Sequence, residues 1–199
     1  MGISRPTFHL RPSFLLVGLL VLVAACAGGQ IILNLDIYSF IDDQDLSGSY
    51  QATLPATGTW IPLVGLVPPT EIQLIEGLGT ASMLQEGVLQ VEGEFDNELG
   101  TASARIDLFL GATAQDVGAS LSPVMSINVD VADSTLTPFS SSVDLDQQTL
   151  DLFSNNSVWV RLDVWARVQG TPSLVDIKGV VTLTGLRARL LANEDLIRQ

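Results

Sequence analysis

The chain has 199 residues, 47% of them hydrophobic, and sets 22 Asp and Glu against 9 Lys and Arg for a formal net charge of −13. That balance argues against nucleic acid as a partner, because phosphate binding draws on clustered Lys and Arg, and no basic residue at all occurs between Arg11 and Arg105. One cysteine, Cys26, excludes an internal disulfide, and one histidine, His9, falls in the first ten residues.

In chain order, Arg5 and Arg11 open a positive segment with no acidic residue, and Phe14 to Ala25 then form an unbroken apolar run. Such a run has the length of an export-signal core and falls short of the ~20 residues of a membrane-spanning helix. Gly28, Gly29 and Gln30 end the apolar character. The run closes on Val23-Ala24-Ala25-Cys26, which resembles the lipobox of bacterial prolipoproteins: an aliphatic residue, two small residues, then cysteine. The resemblance covers the first 26 residues, and Val stands where Leu is commoner. It implies lipid transfer to the Cys26 thiol and cleavage before Cys26. Two or three acyl chains (palmitate among them) would then hold the protein on a membrane, where a single chain would be marginal. Ala27, rather than Asp, implies the outer membrane if the envelope is Gram-negative. The expected organisation is a signal peptide over 1–25, a lipidated cysteine with a short tether over 26–30, and one domain over 31–199, outside the cytoplasm in the periplasm or at the cell surface.

The rest of the chain alternates with a period of two, the signature of half-buried strands. Strands are expected at 31–41, 49–54, 59–67 and 71–76. Residues 80–112 read as a long β-hairpin around Asp96-Asn97-Glu98-Leu99-Gly100, with Leu89, Val91, Phe95, Ala104, Ile106, Leu108 and Leu110 inward and Arg105, Asp107 and Phe109 outward. Met125 to Val131, Val158 to Val168 and 175–190 alternate likewise, with Gly179 and Gly185 allowing a bend. Helix signals are confined to 146–153, capped by Asp144 or Asp146, and to a short segment opening at Asn193-Glu194-Asp195. About nine strands with few helices predict an all-β fold: an antiparallel β-sandwich, with a closed or partly open β-barrel as the alternative.

With His9 and Cys26 removed or lipidated, no imidazole or free thiol remains for triad chemistry or a zinc site. No catalytic residues are assigned, and the protein is read as not an enzyme. Asp43-Gln44-Asp45-Leu46-Ser47-Gly48 resembles the first half of a calcium loop, which would make Asp43, Asp45 and Ser47 the ligands of a metal ion; Leu54 stands where an EF-hand's closing Glu would fall. A surface turn is the alternative. Calcium is the one cofactor the sequence suggests. Trp159 and Trp165, set among Arg161, Asp163 and Arg167 on the outward side of their strand, suggest an interaction surface of Trp159, Arg161, Trp165 and Arg167. A covering loop or sheet is the alternative. Trp60 to Pro69, within a charge-free stretch from Leu46 to Thr70, reads as a buried edge segment, with a membrane-facing or ligand-facing edge as the alternative. Three functions fit these features. The first is a non-enzymatic binding or structural module whose partner is an envelope protein. The second is a carrier of a lipid or other apolar ligand. The third is a calcium-dependent adhesion or assembly module.

Overall fold

Alternation along β8 (Ser157–Arg167) sets the pattern for the whole molecule. Val158, Val160, Leu162, Val164 and Ala166 are buried, while Trp159, Arg161, Asp163, Trp165 and Arg167 between them are half-exposed. A strand of this kind needs a second layer against its apolar face. The computed structural model, which describes residues 30–74, 84–118 and 122–193, supplies that layer as a second antiparallel sheet.

One sheet contains β3 (Ile61–Gln73), β8, β5 (Ala102–Gly111) and β6 (Met125–Val131), in that order. The other places β9 (Gln169–Asn193) beside β4 (Leu84–Leu99), with β7 (Thr135–Asp144) at the far edge. Along the opposite side of β9 lie β1 (Gln30–Asp36) and β2 (Ser47–Thr57), end to end. This is the strand order of a jelly roll, two Greek keys folded on each other. The expected all-β sandwich is therefore the fold, with a sheet that curls partway toward a barrel.

The long strand β9 changes phase once. Ile177, Val181 and Leu183 point inward, and then Leu186, Ala188, Leu190 and Ala192 do. The slip lies where Glu92 pairs with Gly185 but Gly93 pairs with Leu183, leaving Thr184 as an extra residue. At the same level the edge strand is interrupted: β1 ends at Asp36, β2 begins at Ser47, and residues 37–46 leave the sheet in two short 3-10 turns. Leu46 O accepts from Leu183 N at 2.7 Å and closes the gap. Inward side chains of both sheets meet in one core that includes Phe95, Phe139, Ile106, Leu162 and Leu183. Each large aliphatic or aromatic side chain buried there contributes roughly 1.5–3 kcal/mol. A void of about 10 Å³ beside Tyr50, Phe95 and Ile177 is room for no more than a single water molecule.

Four connections between the sheets are short: 58–60, 100–101, 132–134 and residue 168. All four lie at one end of the sandwich, because each joins the end of one strand to the start of the next in the opposite layer. The start of β1, the end of β9 and the start of β4 lie at the other end, where Gln30 pairs with Asn193 and Leu84 with Ala192. Two short helices, α1 (Ala114–Gly118) and α2 (Gln147–Leu152), belong to that end as well.

Several expectations are corrected. Residues 80–112 are not a hairpin: β4 pairs with β9 and β7, and β5 with β8 and β6. Gly100, at φ 81°, turns the chain into the other sheet, and an added Cβ there would stand 2.2 Å from Asp176 O. Residues 59–67 and 71–76 are not separate strands. They are one strand, β3, bulged at three points, and its Pro62, Pro68 and Pro69 are tolerated because β3 is an edge. Strand β7 was not anticipated; its polar TLTPFSSSVD sequence, with Pro138, is that of an edge. Helix α2 is as expected, with the Asp146 carboxylate accepting from Thr149 N at 2.8 Å. The signal region, Cys26 and the 194–199 part of the expected C-terminal helix lie outside the described residues, and β9 runs on through Asn193.

Candidate functional site

The outward face of the β3–β8–β5–β6 sheet carries an ordered row of aromatic and charged side chains. Gly58, at φ 74°, donates its N–H to Val168 O at 2.9 Å and fixes the crossing from β2 to β3. That turn lays Trp60 at the edge of the face. Pro62 pairs with Trp165, and Trp165 with Arg105 on β5. The Arg105 guanidinium carbon lies 4.8 Å from the Trp60 ring centroid and 5.3 Å from that of Trp165, and Arg167 lies 4.5 Å from Trp60. Guanidinium and indole planes thus alternate, each contact contributing about 0.5–2 kcal/mol.

Next along the strands come two carboxylates. Asp107 pairs across with Asp163. Asp107 is only 4% exposed and accepts from Ser126 Oγ at 2.6 Å and from Arg105 at 2.9 Å. Asp163 pairs with Arg161 at 3.1 Å, and Arg161 in turn lies 4.3 Å from the Phe109 ring centroid. Like charges opposite one another on a sheet are unfavourable. Burial pushes the Asp163 carboxyl above the usual range; Arg161 pulls it down, and Asp107 adds to the rise. Gly65, opposite Asp163, leaves a notch over this pair, since an added Cβ would meet nothing nearer than Asp163 Oδ1 at 3.9 Å.

Four buried side-chain donors have no acceptor among the described residues: Nε of Arg105, Arg161 and Arg167, and Nε1 of Trp165. All four belong to this face. Native proteins leave few such groups, so their concentration on one surface marks it.

Of the residues singled out from sequence, Arg161, Trp165 and Arg167 belong to this cluster. Trp159 shares the face but stands six residues from Trp165, about 20 Å away, beside Gly111 and Glu71. Trp60, Arg105, Asp107, Phe109 and Asp163 were not assigned to the surface. The outward parity of β5 and β8 carried the signal for four of them, but their pairing across strands did not show in the alternation. Asp43 and Asp45 lie in one 3-10 turn, and Ser47 opens β2 opposite Thr182. With three residues per turn, side chains two apart point about 120° from each other rather than toward one ion. Among the described residues no three His, Cys, Asp or Glu side chains are grouped as a metal site.

No protein-family model matches the chain, and no curated protein matches it. Solved structures resemble it weakly. Infectious bursal disease virus of the Gt strain gives 14% identity and a TM-score of 0.39 over 95% of this chain and 38% of that one. The Gx strain gives 12% and 0.37 over 94% and 42%, and the VP2 subviral particle of the same virus 14% and 0.33 over 95% and 42%. This chain thus spans about two-fifths of those chains. Likeness at that level says nothing of what the chain binds or builds.

Proposed function

We propose that this protein is a lipid-anchored module of a bacterial envelope, tethered at Cys26 and working by binding rather than catalysis. Its contact surface is the outward face around Trp60, Arg105, Trp165 and Arg167, and its partner is an envelope protein. The observation that carries this reading is the stacking of Arg105 and Arg167 on Trp60 and Trp165 across a half-exposed sheet face, a gathering of the residue types that dominate binding hot spots. The carrier alternative needs an unfilled apolar interior, and among the described residues the inward side chains of the two sheets pack into one core. The calcium alternative needs Asp43, Asp45 and Ser47 to converge, and a 3-10 turn spreads the two carboxylates apart.

Photo-crosslinking in cells tests the surface. A photoreactive residue replacing Asn128, which is exposed and pairs with Arg105, is expected to give a discrete adduct. The same residue at Gln51, on the outward side of the other sheet, is expected to give none. In the Trp60→Ala/Trp165→Ala double variant the Asn128 adduct should vanish while cooperative melting persists. No adduct at Asn128, or one indifferent to the double substitution, would overturn the proposal.

A further inference from the structure

A separate concavity of about 680 Å³ opens on the outward face of the other sheet, across β1, β9, β4 and β7. Its centre is Arg187 and Arg189, successive outward residues of β9 and so about 7 Å apart. Register places Arg187 between Asp36 and Gln90, with Ser142 beyond Gln90, and Arg189 between Asn34 and Val88. Amide and hydroxyl side chains of Asn34, Gln90, Ser140 and Ser142 stand beside the two arginines, and no aromatic residue lines the groove.

Neither guanidinium is held tightly by a carboxylate. Arg187 is 56% exposed at its side chain, and its nearest ion-pair oxygen, Glu92 Oε2, is 3.9 Å away. The other oxygen of Glu92 accepts from Gln90 Nε2 at 2.7 Å. Arg189 has no carboxylate within ion-pair distance among the described residues. Asp36 and Glu92 both stand on the Arg187 side, which leaves Arg189 as the cation of the groove without an ion-pair partner among the described residues. A guanidinium presents two parallel donors that fit a carboxylate or sulfate, and amide and hydroxyl walls suit a ligand that both donates and accepts. Leu35, Val88 and Ala188 supply apolar surface between the polar side chains.

We infer that this groove binds an acidic oligosaccharide, its carboxylate or sulfate groups on Arg187 and Arg189 and its hydroxyls on Asn34, Gln90, Ser140 and Ser142. The site is on the opposite sheet from the Trp60/Trp165 face and stands independently of it.

Calorimetry on the full chain, purified in detergent, tests the inference with three probes: an oligogalacturonate, its uncharged methyl ester and a poly-glutamate peptide of similar length. The oligogalacturonate should bind, more weakly as salt rises, and about ten-fold or more tighter than the ester. Arg187→Gln/Arg189→Gln should lose about ten-fold or more in affinity. Arg187→Lys/Arg189→Lys should recover only part of it, since lysine keeps the charge without the fork. Trp60→Ala/Trp165→Ala should bind as the unaltered chain does, so failure here is distinct from failure of the sheet-face proposal. Three outcomes would overturn the inference: no binding of the oligogalacturonate, unchanged affinity in the double Gln variant, or poly-glutamate binding as tightly as the sugar.

Discussion

Asn97 shows how much one buried amide can hold. It is 3% exposed, accepts from Tyr50 Oη at 3.0 Å, and donates through Nδ2 to Gly100 O at 2.5 Å and Ala132 O at 2.7 Å. One side chain therefore ties β2 to two of the short crossings between the sheets. Burial, with Asp96 and Glu98 adding to the effect, pushes the Tyr50 phenol up to about 12, so it remains a donor to Asn97 at any physiological pH. Replacing Asn97 by Ala would leave that hydroxyl and both carbonyls without their partner. The expected cost is about 2–4 kcal/mol by urea unfolding; a loss of less than ~0.5 kcal/mol would mean that water or a rearrangement satisfies the three groups. The sequence places Asn97 in the turn of a hairpin, whereas β4 runs on through it and Asn97 continues the inward parity of Leu89, Val91 and Phe95. Its partners were not legible, since Tyr50 and Ala132 come near only once two layers have folded together.

Among the elements, α2 was readable because its signal is local. Asp146 caps it through Thr149, and that backbone N–H holds the Asp146 carboxyl below its ordinary range. A depressed value in the fold means that the stabilisation is complete above the ordinary carboxylate pKa, about 4, and is lost as pH falls through the lower folded value. Asp146→Ala should therefore lower Tm at pH 7 and have progressively less effect in acid. A Tm difference that stays constant across the acid range would show that the cap acts without its charge. Strand pairing was less readable than helix capping. Period-two alternation assigns each residue to a face but does not say which strand lies beside which, so 80–112 looked like a hairpin when its halves belong to different sheets. The segment 135–144 carries no clear strand pattern, because an edge strand can be mostly polar and can carry a proline.

At the scale of the molecule, the all-β class and the approximate number of strands followed from composition and alternation, while the order of strands in each sheet did not. The four short crossings lie at one end of the sandwich, and β1 begins at the other, four residues after Cys26. A chain anchored at Cys26 would carry Trp60, Trp165 and Arg167 at the end away from its tether. Cys26→Ala is expected to abolish metabolic labelling of the full chain by radioactive palmitate with the melting of the domain unchanged. Labelling that persists in the variant, or none in the unaltered chain, would remove the lipid-anchor reading while leaving the fold as described.

Strand β9 has a bearing on when this protein can fold. It lies between β1 and β2 on one side and β4 on the other, so the sheet lacks its central member until the last of the described strands has been synthesised. Contacts of such long sequence separation form slowly. The sheet therefore cannot close before β9 has been made, and a chain exported as proposed would cross the membrane before its two layers had packed together.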